Sequence, residues 1–564
     1  MFRLDKKIEN RLSLILVVAF ALIMTTTLIY LNSTHYILGH SYRDVFFYLI
    51  QSLRFSGVNI TGYAYVNYLS PFIPFLTSLL FRMGFVSQTS IFITSGVFFF
   101  FGILGMFYIL KLKFNNFYSL FGAFIYGTLL INIRWVGNGT LDIAFISVLL
   151  WALYFFIMGM EKNQKYFYIA FPLAVISFFT KYPAALLVPL MILYFMSKTN
   201  FTQNFKKYFK NLFGGIVAGV ITSIPFFAYF FLNNIPLGFL NQAEEVSSKT
   251  SLSASHGGQL IQNDLFFYIK GLIYDISSSD YFVGVIILAI TIIGFIILIY
   301  ILTKVLKDSY APLSHSKALL FKWCVSFKLM YVILILSVVL VLVSFFTASL
   351  FSFVYSEIIL FLGLYLFAYS LTKIILSYSG VSTIKSSSFP NISFNITMIG
   401  LFLVYLVFFS SHLTKADRYF TSMAPGFIFL ITLSLEALIS KITGFNIKGI
   451  NVKHIIPIFI MILMLFASVH FITGIGDDSL AVGEKNAALW IGDEEGVIMS
   501  DRAPIYTWLF QKEVPYAINS YNGTLLNEEL LNENAKYYIS SVDVNLTDYG
   551  LVKEFGDVRI YAKS

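Results

Sequence analysis

Apolar runs of about twenty residues follow one another along most of the chain, and short polar loops separate them. A helix of about that length crosses the hydrocarbon core of a bilayer. The pattern therefore predicts a polytopic helical bundle with about thirteen spans. The predicted spans are 12–31, 91–110, 117–134, 141–160, 166–180, 183–197, 212–232, 281–303, 327–347, 355–373, 393–411, 419–440 and 455–475.

The apolar stretch 71–86 is predicted to lie in the membrane interface rather than to span it, because it contains two prolines and Arg82. With this choice, most Lys and Arg residues of the loops fall on the side of the N-terminus. An excess of basic residues marks cytoplasmic loops. We therefore expect a cytoplasmic N-terminus in a multi-pass protein of the cell membrane.

The last part of the chain, 476–564, has a different pattern. Strand-like runs such as GVIMS, AKYYISSV and DVRIYAK are separated by helical stretches such as EKNAALWI. From Asp477 onward there are 7 Lys and Arg residues against 15 Asp and Glu residues. The sequence predicts a small extracytoplasmic α/β domain here, joined to a mainly α membrane domain at 1–475 whose first outer loop is 32–90.

Composition agrees with a membrane protein, since 58% of the residues are hydrophobic and 12% are charged. A soluble domain has about 25% charged residues. The net charge of +9 arises from the predicted cytoplasmic loops, so no nucleic-acid partner is expected. The one cysteine, Cys324, excludes an intrachain disulfide and a cysteine-based zinc site.

The motifs of nucleotide-binding loops, serine hydrolases and zinc proteases are absent from the sequence. Acidic residues are concentrated in the predicted outer loops, so an active site would face outward. A polyprenyl-phosphate sugar suits such a site, because its energy is stored in the sugar–phosphate bond and its tail dissolves in the bilayer. Its transfer requires one base for the acceptor hydroxyl and cations for the departing phosphate.

Two acidic residues are the candidate catalytic groups. Asp44, in SYRDVFFYLI, lies between the first span and the interfacial helix, where a lipid headgroup would arrive. It is the predicted base, and the alternative is a solvated charge paired with Arg43. Asp142 follows Thr140 at a predicted helix start, so it either positions substrate or stabilises the helix end.

Lys181 and Arg418 are predicted at the outer ends of spans, where they either contact the phosphate or extend to the interface. The full predicted substrate-binding set is Arg43, Arg54, Lys181, Arg418, Tyr419 and His40. His40 shares a face with Asp44 if the loop is helical, and His256 or His412 could join it around a divalent metal. No HxH or HxxxH pair supports that metal, and no cofactor is required.

Several short segments occur in an order that resembles a known family. They are GHSYRDVFFYL, YLSPFIPFLTSLLFRMGF, GNGTLDIAF, FFTKYPAALLVPL and DRYFTSMAPGFIFL. Together they resemble the GT-C membrane glycosyltransferases, in particular the branch of protein O-mannosyltransferases and lipid A aminoarabinose transferases. The resemblance covers most of 12–475. Val45 stands where the family often has a second acid, and Leu69 and Ser70 replace a basic residue.

The resemblance implies a helical bundle with extracytoplasmic juxtamembrane helices, a catalytic acid at Asp44 and a polyprenyl-phosphate (dolichyl-phosphate-type) sugar as donor. The function predicted is inverting transfer of a hexose or pentose, in the cell envelope, to a protein, lipid or glycan acceptor on the outer face of the membrane. The alternative is a lipid-linked glycan flippase or transporter. Transporters usually carry ionisable groups near mid-membrane, where this sequence has almost none.

Overall fold

The computed structural model describes most of the chain. The described residues are 6–36, 44–60, 69–198, 201–240, 264–277, 281–308, 317–350, 352–379, 392–412, 415–442, 446–447 and 450–564.

Helices dominate the region before residue 474. In chain order they are α1 (Lys6–Thr34), α2 (Asp44–Ser56), α3 (Phe72–Arg82), α4 (Thr89–Leu110), α5 (Asn116–Thr128), α6 (Leu130–Gly137), α7 (Leu141–Glu161), α8 (Phe167–Thr180), α9 (Leu187–Lys198), α10 (Phe201–Leu232), α11 (Phe267–Ser277), α12 (Tyr281–Asp308), α13 (Lys317–Thr347), α14 (Phe353–Ser379), α15 (Ile392–Ser411), α16 (Phe420–Ile442) and α17 (Val452–Thr473). Short 3₁₀ helices lie at Gln164–Tyr166, Tyr182–Leu186 and Asp417–Tyr419. A two-stranded hairpin, β1 (Asn446–Ile447) and β2 (Ile450–Asn451), precedes α17.

Within the described residues, ten helices are long and apolar enough to cross a membrane, and the bent pair α5–α6 is an eleventh candidate. The predicted polytopic helical bundle is therefore confirmed. The helices at the predicted spans 166–180 and 183–197 are shorter, with 14 residues in α8 and 12 in α9. The number of about thirteen spans stays a prediction.

The bend of 48° between α5 and α6 occurs at Leu129, whose backbone is extended. Breaking a helix inside a membrane frees backbone carbonyl groups that need other donors. Two side chains supply them. The Ser468 hydroxyl donates to the carbonyl of Thr128 at 2.8 Å, and the Asn132 amide donates to that of Tyr126 at 2.9 Å. The bend turns α6, which carries Arg134, toward the end of the bundle where α1 ends.

A second break separates α8 from α9. Lys181 is extended at this point, and Pro183 opens the 3₁₀ helix that follows. Proline has no N–H to donate to the carbonyl four residues before it, and its ring clashes with that carbonyl, so α8 cannot continue through Pro183. The Tyr405 hydroxyl donates to the carbonyl of Pro183 at 3.2 Å. The break leaves Lys181 at the end of α8 rather than inside a helix.

The region after α17 is a small α/β unit. It contains α18 (Ser479–Ile491), β3 (Val497–Ser500), α19 (Ala503–Phe510), α20 (Gly523–Asn532), β4 (Ala535–Ser540), β5 (Tyr549–Phe555) and β6 (Val558–Lys563). The sheet has the order β3-β4-β6-β5, in which β3 and β4 are parallel and the other pairs antiparallel. Glu484 of α18 and Arg502 form a buried ion pair beneath it. The α/β pattern predicted for 476–564 is confirmed.

Helices α2 and α3, with 13 and 11 residues, are too short to span a membrane. They pack against each other and against α19 of the α/β unit. Phe81 of α3 stacks on Trp508 of α19 with ring centres 5.6 Å apart. One hydrophobic core runs through α2, α3, the starts of α4 and α7, and the α/β unit. We call α2 and α3 the platform, since they lie between the bundle and the α/β unit.

Hydrogen bonds also connect the end of α1, just before the platform, with the start of the α/β unit. The backbone N–H of Tyr36 donates to Asp477 at 2.8 Å, and the N–H of Asp478 donates to the carbonyl of Tyr36 at 2.7 Å. His35 pairs with Asp477 at 3.4 Å. The end of α1 is therefore held against the linker that leads into the α/β unit, which fixes where the chain enters the platform.

Candidate active site

Asp44 is the first residue of α2, where the positive end of the helix dipole favours a carboxylate. Its Oδ2 atom accepts a hydrogen bond from Nη1 of Arg418 at 3.2 Å. The Asp44 side chain is 34% exposed, whereas that of Arg418 is 14% exposed. Among the described residues the carboxylate thus has one cationic partner, and it remains partly exposed, so a ligand can reach it as a general base requires.

Arg418 is held in place by the short 3₁₀ helix Asp417–Tyr419, which begins α16. Oδ1 of Asp417 accepts the backbone N–H of Arg418 at 2.7 Å. The preceding turn is fixed by Lys415, whose Nζ donates to the carbonyls of Phe409, Ser410 and His412. These carbonyls lie at the end of α15, where a helix leaves carbonyl groups without intrahelical donors, so the buried ammonium helps to satisfy them; the N–H of His412 also donates to the carbonyl of Phe409 at 3.3 Å.

A second acid–base pair lies deeper. Lys181, at the break after α8, pairs with Oδ1 of Asp142 in the first turn of α7. The Asp142 side chain is 1% exposed and that of Lys181 is 17% exposed. Oδ2 of Asp142 is buried and accepts no hydrogen bond from the described residues. Asp142 is therefore occupied by Lys181 and shielded from solvent, which suits a residue that positions the lysine.

Tyr419 joins the two pairs. Its ring centre lies 5.0 Å from Nζ of Lys181 and 5.1 Å from Cζ of Arg418, and the ring stacks on Phe409 at 4.4 Å. Both cations are within cation–π distance of one ring. The predicted residues Asp44, Asp142, Lys181, Arg418 and Tyr419 thus come together in one site. Two cations that share one aromatic ring can bind a phosphate group, and the partly exposed carboxylate of Asp44 lies beside Arg418.

His412 lies beside this site but is buried, with ring contacts to Phe408, Phe409 and Tyr419. Burial, together with the positive charges of Lys415 and Lys181, lowers the pKa of His412 to about 3. The ring is therefore neutral at physiological pH, which favours a packing role over proton transfer.

Three charged residues next to Arg418 were not among the predicted site residues. They are Arg134, Asp275 and Asp417. Arg134 of α6 pairs with Oδ2 of Asp417 at 3.0 Å and donates to the Tyr274 hydroxyl at 2.6 Å. Asp275 of α11 lies buried nearby; burial raises its pKa well above the usual range, and the charge of Asp417 adds to the effect. The DRY segment was the available signal for Asp417, but nothing in the sequence connected it with Arg134.

Three predicted substrate-binding residues are not brought into this site by the described structure. Arg54 lies ten residues after Asp44 on α2, about 15 Å along the helix axis. Burial lowers the pKa of Arg54, and the neighbouring Tyr229 and Glu513 oppose this shift. Arg43 and His40 lie outside the described residues, so their roles stay predictions.

The part of the chain that the structure describes contains no group of three or more His, Cys, Asp and Glu side chains that could hold a metal ion. His40 and His256, which the metal alternative needs, lie outside it.

Comparisons with known proteins agree with the fold. Residues 69–229 match a family model described as dolichyl-phosphate-mannose-protein mannosyltransferase. Two crystal structures of ArnT from Cupriavidus metallidurans are similar to the whole chain at 12% identity over 97% of both chains. The structure bound to undecaprenyl phosphate has a TM-score of 0.52, and the apo structure has 0.53.

An apo crystal structure of the oligosaccharyltransferase from Archaeoglobus fulgidus has a TM-score of 0.46 at 11% identity, over 93% of this chain and 69% of that chain. No curated protein sequence matches the chain. The chain has a GT-C-type fold, and the resemblance to GT-C membrane glycosyltransferases predicted from the sequence is confirmed.

Proposed function

We propose that the chain is an integral membrane glycosyltransferase that moves a sugar from a polyprenyl-phosphate donor to an acceptor on the extracytoplasmic face. One observation carries the proposal: two cations, Arg418 and Lys181, lie at one tyrosine ring beside an exposed carboxylate. The match of 69–229 to a mannosyltransferase family model and the fold shared with ArnT support it.

Arg418 and Lys181 are the groups that would bind the donor phosphate. Each is paired with a carboxylate, so the four charges balance until an anion arrives. Of the two carboxylates, Asp44 is more exposed, so the phosphate would displace it from Arg418 more readily than it would displace Asp142 from Lys181. Arrival of the donor would thus free Asp44 to act as a base.

In the proposed reaction the acceptor hydroxyl oxygen attacks the anomeric carbon of the sugar while the bond from that carbon to the phosphate oxygen breaks. Asp44 takes the proton of the hydroxyl. The phosphate leaves on its lipid with its charge offset by Arg418 and Lys181. A single displacement inverts the anomeric configuration. Asp142 acts as a positioning residue for Lys181, and the acceptor is a protein, lipid or glycan.

The test compares Asp44→Asn with the parent protein in detergent, using a panel of polyprenyl-phosphate hexoses and pentoses and measuring released polyprenyl phosphate. We expect release to fall by about 10²-fold or more, the usual scale for loss of a general base. Donor affinity should not fall, because the asparagine keeps the shape and no longer competes with the phosphate for Arg418.

The matched control is Asp543→Asn, which alters a carboxylate that is 80% exposed in the α/β unit. It should leave release unchanged. Near-normal release by Asp44→Asn would remove Asp44 from the mechanism. A parent protein that binds the donors and moves them between leaflets without consuming any would favour the flippase alternative.

A further inference from the structure

A cavity of about 810 Å³ opens between the bundle and the linker to the α/β unit, and the active-site residues Asp44 and Arg418 are not part of its wall. The ends of α1 and α17, helices α6 and α11, and Asp417 form the wall. Its lining residues include Asn32, Arg134, Trp135, Asn138, Tyr274 and Phe471. The volume lies within the range of about 300–1,000 Å³ typical of small-molecule sites.

The acidic residues of the wall already have partners. Asp417 pairs with Arg134 at 3.0 Å, and Asp477 pairs with His35 at 3.4 Å. Asp478 accepts the N–H of Ala481 at 3.0 Å and caps α18. A charged ligand would have to break one of these pairs, so the wall favours a ligand that is neutral.

Among the described wall residues, Asn32 has a buried polar atom without a partner. Asn32, 2% exposed, has its Oδ1 atom buried without a hydrogen-bond donor among the described residues. A buried amide oxygen without a donor costs about 1–3 kcal/mol, and a ligand hydroxyl would remove this cost once the Asn32 amide turns toward the cavity. Asn138 adds a second amide to the wall, and Trp135, Tyr274 and Phe471 add aromatic surface.

We propose that this cavity binds a neutral saccharide. Sugar hydroxyls donate to and accept from side-chain amides, and the C–H faces of a pyranose ring pack against aromatic side chains. A cationic ligand fits less well, because the carboxylates among the described wall residues already have partners. An anionic ligand fits less well because Arg134 is paired with Asp417. The chemistry of the ligand therefore follows from paired charges, amides and aromatic rings in the same wall.

The cavity lies next to the active site through the Asp417–Arg418 segment. Asp417 is in the cavity wall, and the following residue, Arg418, holds Asp44. Resting on the proposed function, we assign the saccharide to the acceptor, with the donor phosphate on the other side of this segment. The acceptor of the reaction would then be a glycan or glycolipid headgroup rather than an unmodified peptide.

The test measures binding of neutral di- and trisaccharides of glucose, galactose, mannose and N-acetylglucosamine to the purified full-length chain by titration calorimetry. Two variants address the cavity. Gly476→Phe adds bulk at a lining residue where an added Cβ meets no atom within 4 Å, and Asn32→Ala removes the unpartnered amide. Ile518→Phe, at a residue 82% exposed in the α/β unit, is the matched control.

We expect at least one saccharide of the panel to bind and its affinity to fall about tenfold or more in both cavity variants, with the control unchanged. Binding of polyprenyl phosphate, measured in parallel, should be unaffected by all three variants. Absence of saccharide binding, or binding that survives both cavity variants, would overturn the site. Saccharide binding in a protein that never consumes a donor would keep the site and reject the proposed function instead.

Discussion

At the scale of single residues, the site depends on how Lys181 is held. Its ammonium is largely buried at a helix break, and the only carboxylate paired with it in the described residues is Asp142. A buried ion pair contributes little net stability, but removing one partner leaves the other charge buried without compensation. Asp142 is therefore expected to matter through the lysine rather than through contact with substrate.

Lys181→Met leaves the Asp142 carboxylate buried and unpaired, and we expect a loss of about 3–5 kcal/mol in the stability of the fold. The double variant Lys181→Met/Asp142→Asn should recover most of that loss while donor binding stays weak. Thermal unfolding of the four proteins in detergent gives the double-mutant cycle. Stability losses that simply add would show that the two side chains are not coupled.

The sequence alone placed Asp44, Lys181, Arg418 and Tyr419 among the site residues because each stands at a span end or in the first outer loop. It could not pair them, since Asp44 and Arg418 are 374 residues apart. Arg54 was included only as a cation of the first loop, and its place far along α2 depends on helix geometry. The buried layer of Arg134 and Asp275 is set by packing that no local pattern reports.

At the scale of elements, the platform connects the candidate active site with the α/β unit. Asp44 begins α2, and the buried face of α2 belongs to a core shared with α19. A movement of α19 would therefore shift the helix that carries the proposed base. The apolar residues of α2 look in the sequence like contacts with lipid, which is why the shared core was not predicted.

Trp508→Ala should loosen this junction, because truncating a buried tryptophan costs about 3–5 kcal/mol and here removes the stack on Phe81. We expect faster proteolytic cleavage of the linker between α17 and α18, and lower transfer activity. Trp490→Ala, at a tryptophan that is 45% exposed, is the control. Equal cleavage rates in the two variants would mean that Trp508 does not hold the α/β unit in place.

The helix breaks show a different limit of sequence reasoning at this scale. Pro183 signals the break after α8, but the bend at Leu129 has neither proline nor glycine at the break itself. That bend depends on Ser468, a residue of another helix, which satisfies a freed carbonyl. A single predicted span at 117–134 was therefore a reasonable outcome of the local pattern.

At the scale of the whole molecule, hydrophobic runs were sufficient to predict the bundle and a terminal α/β unit. They were insufficient to separate spans from short apolar helices such as α8 and α9, because burial in protein and burial in lipid select the same residues. The end of the bundle that faces the cytoplasm was predicted from loop charge alone. Cysteine labelling tests that prediction directly.

In a Cys324→Ser background, a cysteine at Tyr521 should react with a membrane-impermeant maleimide on intact cells, since that residue is 87% exposed in the α/β unit. A cysteine at Lys162, exposed between α7 and α8, should react only after permeabilisation. The physical reason is the excess of basic residues expected in cytoplasmic loops. Labelling with the opposite sidedness would invert the topology and place Asp44 in the cytoplasm.

The hydrogen bond from Ser468 to the bend at Thr128 also constrains how the protein is made. The two residues are 340 positions apart, and a ribosome adds about 5–20 residues per second, so tens of seconds separate their synthesis. Until α17 enters the bilayer, the bend that directs Arg134 lacks its donor, and a nascent chain halted earlier would have no complete reaction centre. Assembly of the candidate site therefore waits for α17, the last helix of the bundle.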